Sequence, residues 1–317
     1  MDKEINLIIG ATGRIGYPLC LELKARGKYV RALCRKSSPV TPLVAKIADE
    51  VVYGDLLDAD SLVTACKNVD IVYHLAALVS IESKITDILA DTNINGTQNV
   101  IDACKVNKVR RLVYTSSTDT LSDKITDGYA KTKLAAGRLV SDAIKDGLDA
   151  VIAYPSAVIG PYEYKLSNVG QMIADCIDKK MKFYIKGNYD FVDVRDICKA
   201  LCDLADVGRS GENYILNGHK TTVKKILDMI ADMVKVKRPK IKIPLFVAKF
   251  FAPGMERRKL KKGLPPTVTP YSLRVLQSAC DFSHKNVTAL TGYSPRPLSE
   301  AFSDQIDFYL NKIKNKK

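Results

Sequence analysis

The 317-residue chain predicts an α/β fold: a doubly wound parallel sheet joined to a smaller, interleaved C-terminal lobe. Three observations carry that prediction. Through the first 160 residues, short β-rich runs alternate with longer helical patterns, the rhythm of a parallel sheet covered by helices. The first of these runs breaks into a turn holding three glycines. Beyond Gly160 the strand signals thin out and long helical patterns dominate.

Taken in order, residues 5–9 form an apolar run that ends in Gly10, and residues 29–33, 51–53, 71–75, 112–115 and 150–154 repeat the theme. Between them, residues 97–106 set Val100, Ile101 and Cys104 on one helical face, and residues 129–144 set Leu134, Leu139 and Ala143 in a similar stripe. Residues 223–234 and 299–313 read as long helices, whereas 191–205 and 213–216 look like further α/β elements. The expected organisation is a first domain at 1–160, to which elements near 191–216 return, a second lobe at 161–310 and a frayed basic tail at 311–317.

At 46% hydrophobic and 26% charged residues, the chain has ample apolar material for a core. Its eight cysteines are scattered without a CxxC pair, which points to reduced, buried thiols; Cys198 and Cys202, one helical turn apart, fit the same description. The opening MDKEIN runs straight into the first strand, so a cytoplasmic protein without a secretory signal is expected. No apolar run approaches the ~20 residues that span a bilayer. His74, His219 and His284 stand apart from any Cys/His ligand spacing, so no metal site is expected.

The net charge of +14 would suggest an anionic partner if it were evenly spread. Residues 1–160 carry 20 basic and 19 acidic groups and residues 161–236 carry 12 and 11, whereas residues 237–262 carry ten and one, and the tail four and none. The strip 237–262 interleaves its cations with Ile241, Phe246, Phe250, Phe251 and Leu260. It is either a solvated flank or a surface for an anionic membrane or an acidic, lipid-like substrate. Nucleic acid is the weaker expectation, because no zinc-finger spacing, RNP-like aromatic pattern or tryptophan accompanies the charge.

The first strand feeds Gly10-Ala-Thr12-Gly13-Arg14-Ile15-Gly16, after which a helical stretch runs to Gly27. Glycine is needed where the chain turns sharply and where backbone approaches a pyrophosphate; the following helix N-terminus offers free N–H groups and a positive dipole end. The spacing is GxxGxxG, not the commoner GxGxxG, and plain strand-to-helix connectors also carry glycines. Its place between the first strand and a helix favours a dinucleotide. At the end of the second strand, NAD sites place an acid for the ribose 2′-hydroxyl and NADP sites a cation. Here the chain reads Arg31-Ala-Leu-Cys34-Arg35-Lys36-Ser37-Ser38, with no carboxylate, and Arg35 can grip a 2′-phosphate bidentately. NADP(H) is favoured over NAD(H); the other reading of Arg35 is a solvated surface side chain.

With GATGRIG stand Gly54-Asp55-Leu56, His74-Leu75-Ala76-Ala77, Asn93-Ile-Asn-Gly96-Thr97, Tyr129-Ala-Lys-Thr-Lys133 and Tyr154-Pro155-Ser-Ala-Val158-Ile-Gly-Pro161. Together they resemble the extended short-chain dehydrogenase/reductases, the NAD-dependent epimerase/dehydratases, and most closely their dihydroflavonol-reductase-like branch. Phe191-Val-Asp-Val-Arg-Asp196 and Leu290-Thr-Gly-Tyr-Ser-Pro-Arg-Pro297 extend the likeness over essentially the whole chain. The resemblance implies a Rossmann-like fold in which Asp55 and Leu56 flank the adenine, Leu75, Ala76 and Ala77 line the cofactor, and Thr115, Tyr154, Pro155 and Val158 join them. It implies that Asn93 supports the central sheet. It also implies a homodimer, for which the apolar stripes of 97–106 or 129–144 would serve.

Tyr129 and Lys133 lie four apart on a predicted helix and project from one face. A tyrosine with pKa near 10 is a poor base at neutral pH. A Lys⁺ ~4 Å away at an effective dielectric of ~20 favours the phenolate by ~4 kcal/mol, roughly three pKa units before desolvation is subtracted. Such a pair exchanges a proton during hydride transfer. The resemblance puts the third member at Ser117, with Thr118 the choice if the register shifts by one. Dehydratases with Thr there follow it with Asp-Glu, whereas this chain has Asp119-Thr120, which argues against a dehydratase. Only 12 positions separate Ser117 from Tyr129, where many extended members carry a longer insert with substrate contacts, so no specific family substrate is implied and a flavonoid is not supported.

The leading expectation is an NADPH-dependent reductase of an aldehyde or ketone. A sugar-nucleotide epimerase that keeps its nicotinamide bound, and a non-catalytic nicotinamide-binding regulatory protein, are the alternatives; the retained Tyr129–Lys133 pair weighs against the last. Tyr162, Tyr164, Met172, Phe183 and Tyr184 either wall an apolar substrate pocket or fill the core of the second lobe.

Overall fold

The computed structural model describes residues 3–82, 85–121, 128–181, 183–262, 268–277 and 280–314. The first half runs β1 (Ile5–Ile9), α1 (Gly16–Ala25), β2 (Tyr29–Cys34), α2 (Thr41–Val44), β3 (Glu50–Tyr53), α3 (Ala59–Ala65), β4 (Ile71–His74) and α4 (Asp87–Ala90). A π-helical turn at Asp91–Asn95 leads into α5 (Gly96–Val106), then β5 (Arg111–Thr115), a 3₁₀ turn at Thr118–Leu121, α6 (Gly128–Lys145) and β6 (Ala150–Pro155). The second half follows with β7 (Ala157–Ile159), α7 (Asn168–Ile177), β8 (Phe183–Ile185), β9 (Asn188–Asp193), α8 (Val194–Val207), β10 (Asn213–Leu216) and β11 (His219–Thr222). It ends with α9 (Val223–Met233), β12 (Ile241–Ile243), α10 (Leu245–Lys261), α11 (Pro270–Val275), α12 (Lys285–Thr291) and α13 (Leu298–Lys314).

Seven parallel strands pair in the order β10-β6-β5-β4-β1-β2-β3. Strand order reverses between β1 and β4, the mark of a doubly wound, Rossmann-type sheet. Leu19 and Leu23 of α1 with Ile197 and Leu201 of α8 cover one face, and Leu62, Val100, Cys104 and Val140 of α3, α5 and α6 cover the other. Burial on both faces is why the central strands read as near-continuous apolar runs.

The stripe predicted on α5 is buried as a unit, but α6 turns a different face inward: Ala130, Lys133, Ala136, Val140 and Ala143 are buried, while Leu134 and Leu139 are only half-buried. Both buried faces are used against the sheet of the same subunit. The stripe expected on α5 is thus taken up by its own sheet, whereas Leu134 and Leu139 of the stripe expected on α6 stay half-buried at the surface.

The second lobe is threaded through the first. α8 and β10 join the main sheet and its cover, whereas β9 pairs with β7 and β11 in a separate three-stranded sheet. Ile173, Phe191, Ile226, Phe302 and Ile306 form the core of this lobe, with Met172 and Tyr184 at its margin. Tyr162 and Tyr164 instead cluster with Tyr17 and Phe308, and Phe183 is exposed, so the five residues considered together divide among three environments. Arg296 holds Asp196 through Nε at 3.0 Å and a terminal N–H at 2.9 Å, and Arg195 bridges Asp193 and Asp304. The two late signatures are thus ion-pair stitches between the lobes. α13 continues to Lys314, so most of the basic end expected to fray prolongs a helix; residues 315–317 lie outside the described residues. All eight cysteines are buried. Among the described residues, no helix is long and apolar enough to cross a membrane, and no group of three or more His, Cys, Asp or Glu side chains is placed to hold a metal ion.

Candidate active site

Parallel strands deliver their C-terminal ends to one edge of the sheet, and a crevice opens there where strand order reverses. Loop 10–16 follows β1, Arg35 follows β2, Asp55 and Leu56 follow β3, residues 75–77 follow β4, Ser117 lies just beyond β5 and Pro155 ends β6. Gly10 has φ of +97°, and a Cβ there would lie 2.8 Å from Ala76 N; a Cβ on Gly16 would lie 2.1 Å from the Gly10 carbonyl oxygen. Glycine at both positions lets the turn close on itself and against the end of β4.

The helix that follows is left open. Side chains of Asp58, Ser167, Asp193, Thr222 and Thr269 cap α3, α7, α8, α9 and α11. α1 begins behind Ile15 with no side-chain cap and no acid in its first turn. Tyr17 N donates to Gly13 O and Pro18 has no N–H, so the N–H groups of Ile15 and Gly16 and the positive dipole end remain for an anion. Thr12 is half-buried and Gly13 exposed in the loop. Arg14 is committed elsewhere: its terminal N–H groups donate to the carbonyls of Gly160 and Pro161, tying the loop to the second lobe.

At the end of β2 the two arginines differ. Arg31 pairs with Glu50 at 2.6 Å and donates to the carbonyls of Ala65 and Lys67, whereas Arg35 is exposed and its head group has no ion-pair partner among the described residues. Asp55 Oδ1 accepts from Leu57 N, and Leu56 packs against Gly96, where a Cβ would come within 2.9 Å of the Leu56 Cβ. Tyr154 donates its hydroxyl to Asn213 Oδ1, and Val158 pairs with Val192 in the second sheet. Thr115 Oγ1 and Ser156 Oγ are buried hydroxyls without a hydrogen-bond partner among the described residues. With the glycine cradle and the open α1 N-terminus, these orphaned hydroxyls fit a dinucleotide. Ser156 was not singled out from sequence; its place directly after the Tyr154-Pro155 pair was the available signal.

Lys133 is buried, its Nζ donates to the Thr115 carbonyl at 2.7 Å and lies 4.4 Å from the Tyr114 ring centroid. Burial pushes its amine down to about 7. It is thus a weaker cation at neutral pH than the ~4 kcal/mol argument assumes, since that argument left desolvation out. Tyr129 is half-buried, and burial first, then the neighbouring Tyr129 and Tyr154 phenols, push Tyr114 above the usual tyrosine range. Ser117 Oγ accepts from Asp119 N at 3.2 Å, which leaves its O–H to donate; Thr118 is buried. Residues 122–127, which hold most of the short spacer between Ser117 and Tyr129, lie outside the described residues.

The side-chain hydrogen bonds of Asn93, expected to support the central sheet, go to the loop after β4 and to α6. Its Nδ2 donates to Leu78 O and to Thr132 Oγ1, both at 3.0 Å, and its Oδ1 accepts from Leu78 N. Thr132 in turn donates to the Tyr129 carbonyl at 2.8 Å. The π-helical turn thereby locks the first turn of α6 to the loop after β4. Thr97 donates its hydroxyl proton to Asn93 O, so His74 Nε2, 3.0 Å from Thr97 Oγ1, must be the donor and Nδ1 the bare nitrogen. Burial, then the Lys133 charge, push His74 down to about 3, so the ring is neutral. Thr132 and Thr97 escaped notice in the sequence because a hydroxyl acting through another side chain has no spacing rule of its own.

The model of the NAD dependent epimerase/dehydratase family matches residues 6–217. Sterol demethylase protein B of Methylococcus capsulatus is 31% identical, the alignment covering 96% of this chain and 98% of that protein. A dihydroflavonol 4-reductase-like protein of Synechocystis sp. is 26% identical over 96% of this chain and 94% of its own. The crystal structure of gox2253 superposes with a TM-score of 0.85 at 28% identity, covering 98% of this chain and 99% of that one. The glycine loop, the reversal of strand order beside it and these likenesses agree: the chain belongs to the NAD-dependent epimerase/dehydratase family of extended short-chain dehydrogenase/reductase enzymes.

Proposed function

We propose that the protein is an NADPH-dependent oxidoreductase that reduces an aldehyde or ketone, with Ser117, Tyr129 and Lys133 as its acid–base set. The reading rests on the bond from Lys133 Nζ to the Thr115 carbonyl, which ties the Tyr129–Lys133 helix to the strand end that leads to Ser117. Ser117 donates its O–H to the carbonyl oxygen, and Tyr129 gives its phenol proton to the same oxygen as negative charge develops there. Lys133, in the share of molecules where its amine keeps a proton, stabilises the phenolate left behind. A bound nicotinamide supplies the hydride.

Loop 10–16 and the α1 N-terminus would hold the pyrophosphate, and the Thr115 hydroxyl with Lys133 the adjoining ribose. The preference for NADP(H) over NAD(H) is supported by the absence of a carboxylate at 35–38 and by the uncommitted guanidinium of Arg35. The name of one relative, a dihydroflavonol 4-reductase-like protein, supports net reduction, and that of another, a sterol demethylase protein, supports an apolar substrate over a nucleotide sugar. NADPH oxidation against a panel of carbonyls, by wild type and Tyr129→Phe, tests the reading. The variant is expected to lose about 10²–10⁴-fold in turnover; equal turnover by the two sinks it, and substrate conversion without net NADPH loss replaces it with the epimerase.

A further inference from the structure

The cations of α10 lie unpaired among the described residues, beside exposed apolar side chains. Among the described residues Lys249, Arg257, Arg258, Lys259, Lys261 and Lys262 have no ion-pair partner, and Arg257, Arg258, Lys261, Lys262 and Gly254 line one open depression. The same helix exposes large apolar side chains: Phe246 is 75% exposed, Phe250 80% and Phe251 58%, with the Phe250 and Phe251 rings edge to face at 5.2 Å. Only a narrow face, Ala248 and Ala252, packs inward on Leu273 of α11, and the one acid of the helix, Glu256, is buried. Three contiguous exposed phenylalanines are not a random surface scatter.

We propose that α10 is an interfacial helix by which the protein docks on an anionic bilayer, the phenylalanines entering the headgroup–acyl boundary and the cations resting on lipid phosphates. The geometry suits the task. Phe246, Phe250, Arg257 and Lys261 share one face by helical spacing, so a helix lying in the membrane plane would set its phenylalanines into the boundary and its cations on headgroups about 10 Å further along the axis. The negative lipid surface matches a segment that presents cations without competing exposed carboxylates. Docking here also bears on the site: α11, seated on α10, donates Tyr271 OH to Asp119 Oδ2 at 2.9 Å, two residues beyond Ser117. The wall beside the candidate catalytic serine is therefore mechanically joined to the membrane-facing helix. Vesicle binding needs no turnover, so the proposal stands or falls separately from the reductase reading.

The chain has no tryptophan, so Phe250→Trp installs a single fluorophore on the proposed contact. Its emission is followed as the full-length protein is titrated with vesicles of phosphatidylglycerol and phosphatidylcholine, and separately with phosphatidylcholine alone, alongside co-sedimentation of the wild type. The expected result is a blue shift and pelleting with the anionic vesicles only. Neutralising three charges (R257Q, R258Q, K261Q) should weaken partitioning on the order of a hundredfold, about fivefold per charge, with the circular dichroism unchanged because these side chains are exposed. No shift and no pelleting overturns the proposal. So does equal binding to neutral vesicles, or a blue shift already present without vesicles in a species of doubled mass, which would assign the face to a second copy of the chain.

Discussion

The glycine loop after β1 and helix α10 both present positive potential, yet they are built in opposite ways. At the loop the potential comes from backbone: the N–H groups of Ile15 and Gly16 at the positive end of α1, in a turn that only glycine at 10 and 16 permits. Two of the side-chain cations around it are already used, Arg14 on the Gly160 and Pro161 carbonyls and Arg31 on Glu50. On α10 the potential comes wholly from side chains, exposed and unpaired, beside exposed phenylalanines. A backbone site is rigid, concave and specific for a shape; a side-chain surface is adaptable and specific only for charge and apolarity. The formal charge of the chain, +14, describes the second and says nothing of the first.

The sharpest way to break this contrast is chemical. If the first domain is the catalytic one, Tyr129→Phe abolishes about 10²–10⁴-fold of carbonyl turnover while leaving vesicle binding untouched, and a variant of the α10 cations does the reverse. Next comes the backbone itself. Gly16→Ala drives a Cβ onto the Gly10 carbonyl oxygen, and the resulting shift of the loop should weaken dinucleotide binding on the order of a hundredfold, read by titration of NADPH fluorescence. Arg35→Ser removes the uncommitted guanidinium at the end of β2. It should cost about 1.5–3 kcal/mol of NADPH affinity, roughly 10–100-fold, without loss of NADH affinity.

Smaller effects sharpen the picture of how the site is held. Thr132→Val leaves Asn93 Nδ2 one partner short and frees the Tyr129 carbonyl, at about 1–3 kcal/mol in stability. Its mark as a positioning change is a fall in kcat with KM little altered, and Thr132→Ser should restore both. Lys133 makes the protein's stability pH-dependent. Its amine titrates near 10.5 unfolded and near 7 when buried, so between those values the unfolded chain holds a proton the folded chain lacks. Stability from this group therefore rises with pH from about 7 to 10.5 and is lowest below 7; Lys133→Met should flatten that slope in thermal melts. His74 acts with the same sign in a lower window: its contribution is full above 6.5 and lost as pH falls toward 3.

Much of the first domain was legible because its constraints are local. Apolar runs marked β1, β4, β5 and β6 within a residue or two, and the glycine spacing marked the turn whose steric need Gly10 and Gly16 now show. Where reading failed, a distant partner decided. The inward face of α6 follows the sheet beneath it, so Ala136 and Val140 are buried and Leu134 is not. Asn93, read as a prop for the sheet, reaches α6 because a π-helical turn rotates it there. Arg14 sits in the loop motif, but its guanidinium answers to carbonyls 146 and 147 residues away.

The sequence by itself determined the fold class, the dinucleotide turn, the Tyr129–Lys133 pair and the concentration of charge in 237–262, because each is a matter of composition or of spacing along one element. Only the tertiary structure decided which of those groups are spent and which remain available. Burial lowers Lys133 to about 7, ion pairs consume Arg31, Arg195 and Arg296, and α10 lies with its phenylalanines and cations outward. Those outcomes depend on desolvation and on partners far away in the chain, and neither is written in the residues on either side.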